Sequence, residues 1–428
     1  MHINAHLDVD VVAVENDDVV TVLLDLTAPT GDTDAARPEH ATIVVLDRSG
    51  SMSGRPLESA KRGLLALVDC LDEHDSFGLV VFDDEAEVAV PAATIKALGR
   101  DRIRTAIAAV RTGRTTDISS GYLRGMQEAR RVLGRGGATI ILLSDGHANA
   151  GVTDPAKFRQ MGAKAASQAI TTSTIGIGLG YDDEILSELA IGGTGNHSFA
   201  EESDAAAAAI AGELEGLLSK TVQAASLMIT PIGDDVTAIS VLNDLPCQGT
   251  PEGVLVELGD FYSGEQRQLL FGIAVPARAG LGLATVAQFV LEFVSIPDLE
   301  AHTITMPVSV NVVPGDVAKG RVPDAVVQRH KLLLDVQSAK RDGERAMRSG
   351  DIDSARSSLA EARNTLAAMG PDADPGIAEE LVELDESITM LDHNLDYAIL
   401  SASSSRTKRS RGYSGRRQGG KVDPETRG

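Results

Sequence analysis

Apolar and polar positions follow three different rhythms along this chain, and each rhythm predicts a different kind of structure. Residues 7 to 28 alternate apolar and polar side chains, with Glu15-Asn16-Asp17-Asp18 between two alternating runs. That pattern predicts a β-hairpin, and a lone hairpin is marginal in water, so its strands must pair elsewhere. A segment rich in Gly, Asp and Pro follows, from Thr30 to His40. From Thr42 short apolar runs alternate with amphipathic stretches. The spacing predicts strands over 42–46, 77–82, 138–143 and 172–177, with an antiparallel edge partner at 86–90. It predicts helices over 56–71, 101–110, 118–133, 156–168, 183–191 and 203–218. Strands separated by helices imply a mostly parallel sheet covered on both faces.

After Lys220 the helical period disappears. Ser226 to Pro314 reads as strands broken at Pro231–Asp234, Asn243-Asp244, Gly259-Asp260 and Ala279-Gly280, the composition of a β-sandwich. From Pro323 to about Ser401 the pattern is helical again, with breaks at Ser349-Gly350 and Gly370-Pro371 and Asp351 placed to cap the second helix. From Ser403 eight basic residues face two acidic ones amid Ser and Gly, a composition that cannot bury a core. The expected organisation is therefore a hairpin over 1–35 joining a sandwich over 221–316, an α/β domain over 40–220, a helical bundle over 322–402, and a disordered basic tail over 403–428. The fold class is α/β, a doubly wound and mostly parallel sheet, plus a β-sandwich and a small C-terminal helical bundle.

Composition narrows the function. At roughly 150 residues per domain, 428 residues imply two or three domains. The chain has 39 basic against 62 acidic residues, a net charge of −23, which argues against general nucleic-acid binding because phosphate contacts need a basic surface. Aromatics make up 3% and Trp is absent, so the cores must come from Val, Leu, Ile and Ala. Two cysteines, Cys70 and Cys247, cannot build a disulfide framework and suit a reducing compartment. Cys70 sits in an apolar stretch and reads as a buried thiol. The first residues carry no basic, apolar leader pattern and no run of 18 apolar residues occurs, so the expectation is a cytoplasmic protein without a membrane span.

The chemistry is concentrated in Asp47-Arg48-Ser49-Gly50-Ser51, where an apolar strand gives way to a helix. In open α/β sheets ligands bind outside the carboxyl ends of the strands. Asp47, Ser49 and Ser51 alternate, so a turning loop can aim them at one point. Hydroxyls and carboxylates are hard oxygen ligands that suit Mg²⁺ or Mn²⁺ and not zinc.

This loop resembles the metal-ion-dependent adhesion site of von Willebrand factor type A domains, which opens with Asp-x-Ser-x-Ser. The family adds a threonine from a second loop, matched by Gly113-Arg114-Thr115-Thr116-Asp117, and an aspartate from a third, matched by Ser144-Asp145-Gly146. The resemblance covers residues 40 to 220 and is to the bacterial, cytoplasmic type with C-terminal extensions. It implies Asp47, Ser49, Ser51, Thr116 and Asp145 as metal ligands, with no enzymatic activity. It also implies a protein partner whose Asp or Glu carboxylate completes the coordination.

Two other readings compete. Gly50-Ser51-Met52-Ser53-Gly54 fits the Gly-x-Ser-x-Gly nucleophile elbow of a serine hydrolase, with Ser53, Asp145 and His197 in the right order. That reading leaves Asp47 and Ser49 unexplained. Alternatively the metal site is vestigial, and the helical bundle and basic tail make the chain a scaffold. Gly176-Ile177-Gly178-Leu179-Gly180 lacks the third glycine of a dinucleotide fingerprint and reads as close packing after a strand. Asp72-Glu73-His74-Asp75 reads as a solvated turn, and His147 as a loop histidine near the metal rim.

Overall fold

In a computed structural model, the described residues are 1–31, 39–134, 136–178, 180–200, 207, 209–210, 212–213, 219–232, 238–277, 280–369, 375–393, 395, 398–399 and 413–414. They divide into two compact units. One combines residues 1–30 with 221–414, and the other holds residues 31–220.

The first unit opens with β1 (His2–Leu7), β2 (Val11–Ala13) and β3 (Asp18–Thr27). The second unit then runs β4 (Ala41–Asp47), α1 (Arg55–Cys70), β5 (Ser76–Phe82), β6 (Ala86–Thr94), α2 (Ile95–Leu98), α3 (Arg100–Ala109), α4 (Ile118–Arg131) and β7 (Ala138–Ser144). It ends with α5 (Pro155–Ala166), β8 (Ile170–Ile177), α6 (Asp183–Gly192) and β9 (Thr194–Ala200). Its six strands lie in the order β6-β5-β4-β7-β8-β9, parallel except for β6. Every residue of β4, β7 and β8 is buried, which is why these strands read as unbroken apolar or Thr-rich runs rather than as alternations. Helices flank the sheet, so the fold is the doubly wound α/β class. Of the helix expected at 203–218 most lies outside the described residues, while Ala207, Ala209, Ile210, Gly212 and Glu213 are helical.

The chain returns to the first unit through β10 (Lys220–Pro231), β11 (Ala238–Val241), β12 (Cys247–Thr250), β13 (Gly253–Tyr262), β14 (Gln266–Val275), β15 (Gly282–Ser295) and β16 (Ala301–Val313). One sheet has the order β1-β3-β14-β11 and the other β12-β13-β10-β15-β16-β2. The two share one apolar core, in which Val22 and Leu24 of β3 meet Leu227 and Ile229 of β10 and Phe289 of β15.

Short helix α7 (Gly315–Ala318) leads to three longer ones, α8 (Ala325–Arg348), α9 (Ile352–Met369) and α10 (Pro375–Met390). Their core includes Val336, Leu359, Leu366 and Leu384. Between α8 and α9 Gly350 takes φ +79°, and Asp351 Oδ1 accepts from Ser354 N at 3.1 Å, so this break is a left-handed residue followed by a side-chain cap. The break at Gly370-Pro371 and most of the basic tail lie outside the described residues. Tyr413–Ser414, as β17, pair antiparallel with Gln266–Arg267 of β14.

Three local expectations are corrected. The N-terminal hairpin is not built around Glu15–Asp18. It is β1 that pairs antiparallel with β3, while β2 crosses to the other sheet and pairs parallel with β16. Periodicity fixes which face a strand buries and not which sheet receives it, so one alternation ran across a crossover. Gly259-Asp260 is no turn but lies inside β13, where Gly259 takes φ +73° and Asp260 Oδ1 accepts from Ala224 N at 3.0 Å across an irregularity in β10. Cys70 is exposed at the last turn of α1 rather than buried.

Because β3 lies between β1 and β14, residues 1–30 complete a sheet whose other strands come after residue 220. Removing residues 1–30 should leave the unit containing β10–β16 unable to fold. The full chain lacking them is expected to aggregate or to lose strand signal in circular dichroism. A monodisperse truncated protein with full strand content would contradict the shared core.

Candidate metal centre

β4 ends at Asp47 with the whole strand buried, so this carboxylate emerges at the carboxyl edge of the sheet still out of water. Its two oxygens are occupied from different loops: Oδ1 accepts from Ser49 N at 2.7 Å and Oδ2 from Ser144 Oγ at 2.6 Å. After Asp47 the chain makes a single 3-10 turn, Gly50–Met52, in which Met52 plugs into the core while Ser51 stays exposed. Gly54 at φ +84° then lets α1 begin, with Pro56 in its first turn.

The three hydroxyls and Asp145 come together. Ser49 Oγ and Ser51 Oγ are 3.0 Å apart, and Ser51 Oγ donates to Asp145 Oδ1 at 2.6 Å. A methyl group placed on Gly146 would sit 3.2 Å from both Ser51 Oγ and Thr116 Oγ1 and 3.8 Å from Ser49 Oγ. Any side chain there would crowd the hydroxyls, because they converge on the open side of Gly146. All five residues singled out in the sequence therefore share one site.

Sequence reasoning missed the groups that hold the five in place. Ser144 carries the second oxygen of Asp47. Asn149 clamps the threonine loop, accepting from Thr116 N through Oδ1 at 2.9 Å while its own N–H donates to Thr116 O at 3.2 Å. Gly50 N donates to Arg114 O at 3.0 Å and Gly113 N to Arg48 O at 2.6 Å, tying the first loop to the second. Asp117 caps α4 through Ser120 N at 3.0 Å. Asn149 and Ser144 lie in the sequence near Asp145, but only the fold shows which atoms they meet.

The electrostatics are those of an anionic site, with no cation among the described residues acting on its two carboxylates. Burial raises the Asp47 carboxyl above its ordinary range against the pull of the Ser144 and Ser49 hydrogen bonds, and the nearby charge of Asp83 adds to the rise. Burial also pushes Asp145 up to about 6, opposed by the Ser51 hydrogen bond and reinforced by Asp47. Among the described residues no group of three His, Cys, Asp or Glu side chains gathers elsewhere. The donor set here is two carboxylates and three hydroxyls, all hard oxygens, and it fits Mg²⁺ or Mn²⁺. It does not offer the carboxylate-rich cage that Ca²⁺ favours.

The other candidates fall away from this centre. His197 is fully buried, with Nδ1 2.9 Å from Thr174 Oγ1 and Nε2 3.2 Å from Tyr181 OH and 3.1 Å from Asp183 Oδ1. Ser53 is exposed past the loop. Tyr181 packs its ring where a side chain on Gly176 would have to go, so that glycine serves close packing. In the acidic turn, Asp75 accepts from His40 N at 3.1 Å and Asp72 N at 2.7 Å. His147 is exposed at the rim, 3.8 Å from Asp182.

Residues 43–213 match the profile of the von Willebrand factor type A domain. The chain carries such a domain, a module that commonly mediates protein–protein interaction and often binds a divalent metal. An uncharacterized Synechocystis protein is 31% identical over 158 residues, 37% of each chain. Human inter-alpha-trypsin inhibitor heavy chain H3 is 30% identical over 181 residues, 39% of this chain and 20% of its own. The matches thus span between about a fifth and two fifths of these relatives' length. Among solved structures, a von Willebrand factor type A protein from Catenulispora acidiphila superposes with a TM-score of 0.70 at 16% identity over 97% of both chains. The ArnB paralog VWA2 from Sulfolobus acidocaldarius reaches 0.63 at 14% identity, over 96% of this chain and 98% of its own. At these identities the likeness is one of fold.

The raised carboxyl of Asp145 has a sign that can be checked. A folded-state pKa above the unfolded value adds stability that is full below about 4 and lost as pH rises through about 6. At pH 7.5 in chelator the folded chain therefore carries an unfavourable charge. Asp145→Asn, which keeps an acceptor for Ser51, should raise the melting temperature there by a few degrees, on the order of 1 kcal/mol for this partly solvated group. The advantage should shrink toward pH 4. An Asn variant no more stable than wild type at pH 7.5 would refute the electrostatic account.

Proposed function

We propose that Asp47, Ser49, Ser51, Thr116 and Asp145 hold Mg²⁺ or Mn²⁺ in a metal-ion-dependent adhesion site, and that the chain is a non-enzymatic interaction module for a partner protein presenting an Asp or Glu. The observation that carries this reading is the meeting of hydroxyls from two loops with Asp145 of a third around the empty side of Gly146. A bound divalent ion would supply an electrophilic position open to one more oxygen, because two carboxylates only match its charge and the hydroxyls are neutral.

The chain's own residues prepare that position. Asp47 is held by Ser49 N and Ser144 Oγ, so it offers charge from a fixed place while the serine loop bends around it. Asp145 orients Ser51, and the Asn149 clamp orients Thr116. The exposure of Ser51 leaves the centre open to a macromolecular partner. The hydrolase alternative has little support, since both ring nitrogens of His197 face Thr174, Tyr181 and Asp183. Among the described residues no helix is long and apolar enough to cross a membrane. With two free, exposed cysteines, we place the chain in the cytoplasm.

Calorimetric titration of chelator-treated protein with Mg²⁺ and Mn²⁺ tests the reading. One saturable site in the wild type, absent from Asp145→Ala, is expected. Gly146→Ala should weaken the same site by about tenfold, because its methyl enters the donor cluster. A folded wild-type protein that gives no heat with either ion would overturn the assignment.

A further inference from the structure

The loop between Asp47 and Ser49 contains an arginine held by charge rather than by a full set of hydrogen bonds. The Arg48 guanidinium lies against Glu87, 3.0 Å from Nη1, and Asp83, 3.4 Å from Nη2. Its Nε is buried with no hydrogen-bond partner among the described residues. A buried donor without an acceptor is destabilising, so the two carboxylates are what keep the side chain there. Glu87 is exposed and screened by water, whereas Asp83 is only 7% exposed. The partner that counts for Arg48 is therefore Asp83.

Asp83 stands at the same edge of the sheet as the candidate ligands. It directly follows β5, whose last residue, Phe82, pairs with Asp47 of β4. Arg48 N donates to Phe82 O at 2.8 Å, which brings the serine loop alongside. The loop carrying Thr116 closes over Asp83 from the other side. Asp117 N donates to Asp83 O at 2.8 Å, and a side chain on Gly113 would collide with the Asp83 carboxylate. Burial is the main cause of the raised Asp47 carboxyl, and the charge of Asp83 adds to it. Asp83 is thus a third carboxylate felt at the centre without belonging to the donor set. Two carboxylates would balance a divalent ion, a third would leave one negative charge over, and Arg48 offsets that charge.

We propose that Asp83 and Arg48 are a charge pair that sets how strongly the centre holds its ion, Asp83 tightening the hold and Arg48 limiting it. This role rests on the metal-site reading and adds to it two residues that do not ligate. Charges act through space according to their sign, so losing one member must have the opposite effect to losing the other. Losing both leaves the net charge at this edge unchanged. A merely structural role has a different signature, because each loss would loosen the loops and the double loss would weaken binding most.

The test is calorimetric titration of the full chain with Mg²⁺, with folding of every variant checked by circular dichroism. Asp83→Asn keeps an acceptor for Arg48 and Glu85 N but loses the charge, and it is expected to bind Mg²⁺ about threefold more weakly. Arg48→Gln should bind about threefold more tightly, although it is the less stable protein. The double variant should return to within about twofold of wild type, and Arg48→Lys, which keeps the charge, should match wild type. An Arg48→Gln protein no tighter than wild type, an Asp83→Asn protein no weaker, or a double variant weaker than Asp83→Asn would each overturn the pairing. If Arg48→Gln does not fold, the double variant, which buries no unpaired carboxylate at position 83, still separates charge from structure. A wild-type protein silent toward Mg²⁺ would instead remove the metal reading beneath it.

Discussion

A carboxylate buried at the end of a central parallel strand is the constraint on which the site depends. Asp47 is fully out of water, and moving an ionised carboxylate there costs several kcal/mol. Its two hydrogen bonds, from Ser49 N and Ser144 Oγ, each return about 1.5–3 kcal/mol. They satisfy the oxygens without cancelling the charge, and Asp83 and Asp145 add to the repulsion. What would relieve the site is a cation, and among the described residues no Lys or Arg figures in the electrostatics of Asp47 or Asp145. Arg48, the nearest in sequence, turns to Asp83 and Glu87 instead.

The sheet order makes this arrangement possible. With β4 between β5 and β7, the loops after β4 and β7 emerge side by side, and Ser144 can reach Asp47. The loop before α4 joins them through backbone bonds at Gly50–Arg114 and Gly113–Arg48. Short side chains follow from that crowding. Gly113 must lack a side chain because Asp83 fills its place, and Gly151 for the same reason against Asp117. The apolar strands below are rigid, so the oxygens they carry hold their positions, which is what a six-coordinate ion with strict geometry needs.

The α/β class was legible because buried parallel strands leave an unmistakable trace: Thr42–Leu46 and Ala138–Leu143 are runs of apolar residues and Thr, without polar alternation, between amphipathic stretches. That the five candidate residues could lie together was legible because each stands just beyond such a strand or just before a helix. β9 was not. Thr194-Gly195-Asn196-His197-Ser198-Phe199-Ala200 has weak strand propensity, and it is a strand because it lies parallel to β8 with His197 bonded to Thr174. The crossover of β2 was hidden for a related reason, since alternation shows that Val12 is buried but not which sheet buries it. Contacts between residues far apart in sequence, such as Ser144 with Asp47, leave no local trace at all.

The use of hydroxyls rather than more carboxylates decides what kind of site this can be. A third or fourth acidic ligand would bind an ion more tightly, but it would also give the cluster a net negative charge and repel an acidic partner. Two carboxylates would balance a divalent ion and leave it attractive to an incoming oxygen anion. On the function proposed above, the remaining ligand capacity would be open to a second protein, and such binding would be reversible because no single bond is strong in water. On a chain this acidic, an anionic segment would otherwise be repelled as it approaches, with the repulsion falling off over about 8 Å at physiological salt. On the function proposed above, recognition of an acidic partner would have to be carried by local positive charge, which a divalent ion bound at this edge of the sheet would supply.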